Sequence, residues 1–139
     1  MKKIIITSLS LLLILGISTG CGCKKKEKTK KEDKQEETYN TNEGVIEDKE
    51  VEGLKLTNTS LVSTENSATL VTSVSNPTNE DKEVRIFYIH VKDKNGDEIV
   101  TLQGYVGGVV PAGQTREITS NVDRNLDNAY KVEYELVDE

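Results

Sequence analysis

In the second half of this chain, apolar and polar positions alternate. In "SATLVTSVSN" Ala68, Leu70, Thr72 and Val74 fall on one face, and in "NAYKVEYELVD" Tyr130, Val132, Tyr134 and Leu136 do the same, with Lys131, Glu133 and Glu135 between them. A period of two is that of a strand with one face in a core and one in water. On a helix those positions would spread around most of the circumference. The segment "EVRIFYIHVKD" also alternates but changes parity. Val84 and Ile86 are even, whereas Phe87, Ile89 and Val91 are odd. A β-bulge near Ile86 and Phe87, or a strand buried on both faces, is the expected cause.

Turn residues separate these runs. Asn76-Pro77 breaks one strand, Asn95-Gly96 is a hairpin signal, and Pro111-Ala112-Gly113 ends another strand. Three glycines in "GYVGGVV" (104–110) predict a strand that is short, irregular or at an edge. From Val51 onward no apolar helical period is present. Residues 53–139 therefore predict an all-β fold, an immunoglobulin-like antiparallel β-sandwich of about seven strands.

The first half follows other rules. Met1-Lys2-Lys3 precedes an apolar run from Ile4 to Ile17, and Ser18, Thr19 and Gly20 lead to Cys21. That is the layout of a signal peptide over residues 1–20. The stretch resembles the lipobox of bacterial lipoproteins. Gly20 and Cys21 fit it, while Ser18 stands where that family usually has Leu, the nearest aliphatic being Ile17. The resemblance implies lipidation of Cys21 by diacylglycerol and an address on the outer side of the cell membrane. Two acyl chains suffice for stable attachment. Lysines 24, 25, 26, 28, 30 and 31 would then lie at the headgroups. Cys23 is left as a lone thiol, so no intrachain disulfide is expected.

Between Lys24 and Glu50 the only apolar residues are Tyr39, Val45 and Ile46. Low hydrophobicity with dense charge predicts a disordered tether, and with the lipidated cysteine it spans 21–52. Charge is distributed unevenly: residues 24–34 carry +4, residues 35–50 carry −5, and residues 51–139 carry −7. An acidic body repels phosphate backbones, so nucleic acid is not an expected partner.

The turn residues Asn76, Asp93, Gly96, Pro111 and Gly113, in that order among the strands, resemble the FxLYD-type domain. Ile89-His90-Val91-Lys92-Asp93 stands where that family's naming motif would be. The resemblance spans about Leu54 to Leu136. It implies a small β-sandwich of exported proteins and carries no activity with it.

Candidate chemistry is sparse. Asp93, Asn95 and Asp97 in "DKNGDE" offer oxygen ligands at alternate positions, as a calcium loop does. The glycine, however, is fourth where an EF-hand has it sixth, and the twelfth residue is Gly104 where a bidentate Glu is needed. A polar hairpin turn is the expected reading, with no metal. His90 is the only histidine, lies opposite Phe87, Ile89 and Val91 by alternation, and has no nucleophile motif near it. No phosphate-cradling loop is present, so neither catalysis nor a cofactor is expected. The expectation is a lipid-anchored, extracytoplasmic, non-enzymatic interaction module for another envelope or surface protein. The alternative is a small-ligand or ion-binding accessory lipoprotein of a transport system.

Overall fold

Ten strands and one short helix make up the described residues, 35–137, of the computed structural model. The leader 1–20, Cys21, Cys23 and the lysine-rich segment to residue 34 lie outside the described residues. In chain order the elements are β1 (Thr38–Tyr39), α1 (Glu43–Ile46), β2 (Lys49–Val51), β3 (Leu54–Ser63), β4 (Ala68–Ser75), β5 (Lys82–Val84), β6 (Ile86–Lys92), β7 (Glu98–Gly104), β8 (Gly108–Val110), β9 (Thr115–Val122) and β10 (Lys131–Val137).

Every pairing is antiparallel. The larger sheet runs β1-β3-β4-β9, and β2 shares with β1 the same edge of β3. A second sheet runs β10-β6-β7, and β5 pairs with β8 in a two-stranded ribbon. The fold is all-β and sandwich-like. Leu56, Leu70 and Ile118 of the larger sheet and Phe87, Ile89 and Val132 of the smaller one belong to a single buried cluster. Aliphatic side chains fill it, with Phe87 as its one phenylalanine.

Alternation holds where the sequence is cleanest. Ala68, Leu70, Thr72 and Val74 of β4 all face the core. In β10 Val132 is fully buried, and Tyr134 and Leu136 pack against the cluster. Tyr130 departs from the expected face. It precedes β10 and is 53% exposed, its N–H bonded to the Lys92 carbonyl.

The parity change in "EVRIFYIHVKD" has a different cause from either one expected. The strand breaks at Arg85: β5 pairs with β8, whereas β6 pairs with β7 and β10. Val84 and Phe87 are both buried because the chain changes partner strand between them. Register shifts fall at other places: between Val91 and Lys92 where β6 meets β7, and in β3 between Thr57 and Ser60, where Asn58 adopts φ of 53°. Core positions there pass from Leu56 to Thr59 and Leu61.

The tether expected to extend to residue 52 is corrected from Thr38 onward. β1 pairs with Val62 and Ser63, β2 pairs with residues 54–56, and Val45 of α1 is fully buried. Asn40 and Asn42 both donate side-chain hydrogen bonds to the Ala129 carbonyl. Local composition underestimates this segment because it is held by backbone pairing to β3, by the Asn40 and Asn42 amides and by one buried valine.

Candidate interaction surfaces

The outer face of the β10-β6-β7 sheet carries most of the charged chemistry. Register places Glu133, His90 and Thr101 side by side on three strands, with Glu135, Tyr88 and Gln103 in the next row. His90 Nδ1 lies 2.8 Å from Glu98 Oε2 and 3.0 Å from Thr101 Oγ1, while Nε2 lies 3.3 Å from Glu135 Oε2. The hydroxyl of Thr101 donates to Glu98 Oε1 at 2.8 Å. Hydrogen bonds from Thr101 and then from His90 hold the Glu98 carboxyl below its ordinary range.

This group superficially resembles a nucleophile, a base and an acid. Its wiring is different. The Thr101 proton is committed to Glu98, so His90 is not placed to take it. All these side chains stand on an open sheet face. The arrangement is a cross-strand ionic lattice.

Beside it, Glu133 bridges Lys131 and Lys92. Hydrogen bonds from Lys131 and then Lys92 pull its pKa down to about 2. The same contact raises Lys131. Beneath, the Tyr134 hydroxyl meets Thr59 Oγ1 at 3.3 Å, and Thr59 meets Thr72 at 2.8 Å. Burial raises the Tyr134 pKa. This polar bridge ties the two sheets together at the β3 bulge.

Asp93, Asn95 and Asp97 share one turn, yet they are not arranged around a common centre. Asp93 Oδ1 accepts the backbone N–H groups of Asn95 and Asp97, at 2.8 and 3.1 Å. Those donors, Asn95 first, lower the Asp93 pKa. Gly96 takes φ of 88° and its N–H returns to the Asp93 carbonyl, which completes a three-residue hairpin loop. Among the described residues no group of three or more His, Cys, Asp or Glu is placed to hold a metal ion. An open depression of about 520 Å³ is rimmed by Glu52, Glu80, Asp81 and Glu83.

The outer face of the larger sheet has another character. Val62, Thr69 and Asn121 form one row, Ser60, Val71 and Thr119 the next, and Thr57, Ser73 and Glu117 a third. Tyr39 flanks the first row opposite Val62 and is 63% exposed. Thr69 Oγ1 donates to Asn121 Oδ1, and Ser75 shares a hydrogen bond with Thr115.

The sequence did not single out Asn76 as more than a breaker. Its side chain is 1% exposed and makes four hydrogen bonds. Gly104 also has a packing role: a Cβ there would lie 2.6 Å from Ile118 Cγ2, so β7 can approach β9 only with glycine at this point.

Comparisons with protein-family models, with curated proteins and with solved structures return no match. The likeness to an FxLYD-type module therefore rests on the turn residues alone.

Proposed function

We propose that this chain is a membrane-anchored extracytoplasmic lipoprotein whose β-sandwich domain acts as a non-enzymatic interaction module for another envelope or surface protein. The observation that carries the reading is Cys21, set directly after an apolar leader and small residues and ahead of an all-β domain. Attachment through two acyl chains would hold the domain at the membrane. Its faces then offer an ionic lattice on one side and a hydroxyl-rich surface on the other, both open to a partner. The committed proton of Thr101 supports a binding role for the His90 lattice over a catalytic one.

The test is metabolic labelling with a fatty-acid analogue, followed by membrane fractionation. Cys21→Ala is expected to abolish labelling and to release the protein or leave its precursor uncleaved. Unchanged labelling in Cys21→Ala with loss in Cys23→Ala would move the site to Cys23. Labelling of neither form, with the protein still in the membrane, would replace the lipid anchor by an uncleaved apolar span.

A further inference from the structure

The long edges of the two sheets are treated unequally. On β7, Ser120 Oγ bonds the Gln103 carbonyl at 2.7 Å and Arg124 Nη1 bonds the Ile99 carbonyl at 2.5 Å. The start of β10 lies under α1, where Gly44 packs so closely that a Cβ would meet the Tyr130 carbonyl at 2.6 Å. The far edge of β3 is occupied by β1 and β2. Strand β9 differs from β10, whose Val132 is buried and whose Tyr134 and Leu136 are half-buried: its outward residues are exposed along the whole strand.

Two bonds establish which of its backbone groups are free. Asn76 N–H donates to the Gln114 carbonyl at the end of the β4–β9 ladder, and Asn40 N–H donates to Leu61 at the other edge of β3. Alternation from either bond directs the backbone of 116, 118, 120 and 122 toward β4. The N–H and C=O groups of Thr115, Glu117, Thr119 and Asn121 consequently point out of the sheet. All four residues are exposed, and among the described residues no backbone or side chain bonds those groups. β9 contains no proline or lysine, two of the residues that commonly blunt an edge.

We infer that β9 pairs with β9 of a second copy of this chain, antiparallel about a two-fold axis at Ile118. Eight outward donors and acceptors at strand spacing are matched by an extended polypeptide and by no small ligand. Perpendicular two-fold symmetry allows only registers centred on a residue. Charge and the number of outward groups engaged select among them, since centring on Thr119 would set Thr115 against Asp123 beyond the strand. Centring on Glu117 would oppose two like carboxylates, which disfavours that register. Centring on Ile118 sets Glu117 against the partner's Thr119 and Thr115 against the partner's Asn121. Arg116 then faces the partner's Ser120, and Ile118 faces its own copy beside the core. The larger sheet would continue through the interface in the order β3-β4-β9-β9-β4-β3. One strand from each copy makes a small interface, so the pairing is weak in dilute solution. Confinement to a membrane plane would raise the effective concentration, a gain that rests on the proposed anchor. The pairing itself does not depend on it.

The test uses the full chain carrying Cys21→Ser and Cys23→Ser, with Thr115→Cys and Asn121→Cys added together. In the proposed register these positions are opposite, about 5.5 Å apart between Cα atoms, within disulfide range. Mild oxidation should trap a dimer about tenfold faster than in a chain carrying Lys94→Cys on the remote hairpin turn. Adding Thr119→Pro removes an outward N–H without touching the β4 ladder, and it should abolish the trap while the thermal transition is retained. If that variant unfolds, Glu117→Pro makes the same test. Equal trapping at Lys94→Cys, or trapping that survives the proline in a folded chain, overturns the proposal. An adduct whose mass is not a whole multiple of the chain's would instead assign the edge to a strand from another protein, and that result also overturns pairing with a second copy. The trap reads a contact within the folded domain, so failure of Cys21 labelling leaves it interpretable.

Discussion

Replacing Asn76 should damage this domain more than its position in an exposed turn suggests. Its Nδ2 donates to the carbonyls of Glu80 and Val110 at 2.7 and 2.9 Å, and its Oδ1 accepts from the backbone N–H and hydroxyl of Thr78 at 3.1 and 2.7 Å. One amide thus fastens the 76–80 loop to the end of β8. Asn76→Ala leaves these groups without partners. Each unsatisfied buried group costs about 1–3 kcal/mol, and only the Val110 bond is fully buried, so the expected loss is about 2–4 kcal/mol. Asn76→Asp is nearly isosteric and should be worse at neutral pH. It turns the two donor positions into a carboxylate facing two carbonyls at a site that is 1% exposed. Urea denaturation of both variants measures the effect.

The pH dependence of Asn76→Asp has a definite sign. Burial and the two carbonyls raise the pKa of the introduced carboxyl in the folded state above its value of about 3.9 in the unfolded chain. The protonated acid can donate to one carbonyl, so the variant's deficit against wild type should be smallest below about pH 3.9. It should grow as pH rises through the elevated folded value. Asn121→Asp is the control, because it keeps the acceptor for Thr69 on an exposed strand face. A pH-independent deficit for Asn76→Asp, or one no larger than that of Asn121→Asp, would refute the role assigned to this amide.

Two further outcomes are expected. Val132→Asp should destabilise by several kcal/mol, since Val132 is fully buried in β10 and the new charge has no partner; a loss within about 0.5 kcal/mol in a denaturation series would contradict the assigned strand face. Glu133→Gln should weaken the domain modestly above pH 4.5, by under about 1 kcal/mol because the side chain is 40% exposed. The folded pKa of Glu133 is lowered from 4.5 to about 2, so its contribution is present above 4.5 and lost as pH falls through about 2. A Glu133→Gln deficit that persists unchanged at pH 2 would contradict that bridge.

How much was legible depended on whether a feature was local. Alternation in β4 and β10 is visible because each strand buries one face against one neighbouring layer, so Leu70 and Val132 announce themselves. The β3 bulge conceals the same rule: the αL residue at Asn58 shifts the phase midway, and "LKLTNTSLVS" has no single period. The "EVRIFYIHVKD" segment conceals it differently, by changing partner at Arg85, which no residue within the segment records. β9 is harder still, since only Ile118 and Ser120 of "TREITSNV" are buried and their neighbours are polar. The Asn95-Gly96 turn was readable because its chemistry is complete within five residues, from Asp93 to Asp97.

The same distinction explains where sites could and could not be foreseen. Turn composition at Asp93, Asn95 and Asp97 admits either a cation loop or a hairpin, and the donors aimed at Asp93 favour the hairpin. His90 has two carboxylates and a hydroxyl around it only because register brings Glu98, Thr101 and Glu135 from flanking strands. Segment 38–51 joins the fold through backbone pairing, and backbone groups are identical in every residue but proline. The unpaired edge of β9 is hidden for that reason too: its partner-seeking groups are the main-chain atoms of Thr115, Glu117, Thr119 and Asn121. A module that recognises other strands through such an edge leaves little trace in side-chain composition. The edge from which pairing is inferred is accordingly one that no residue motif marks.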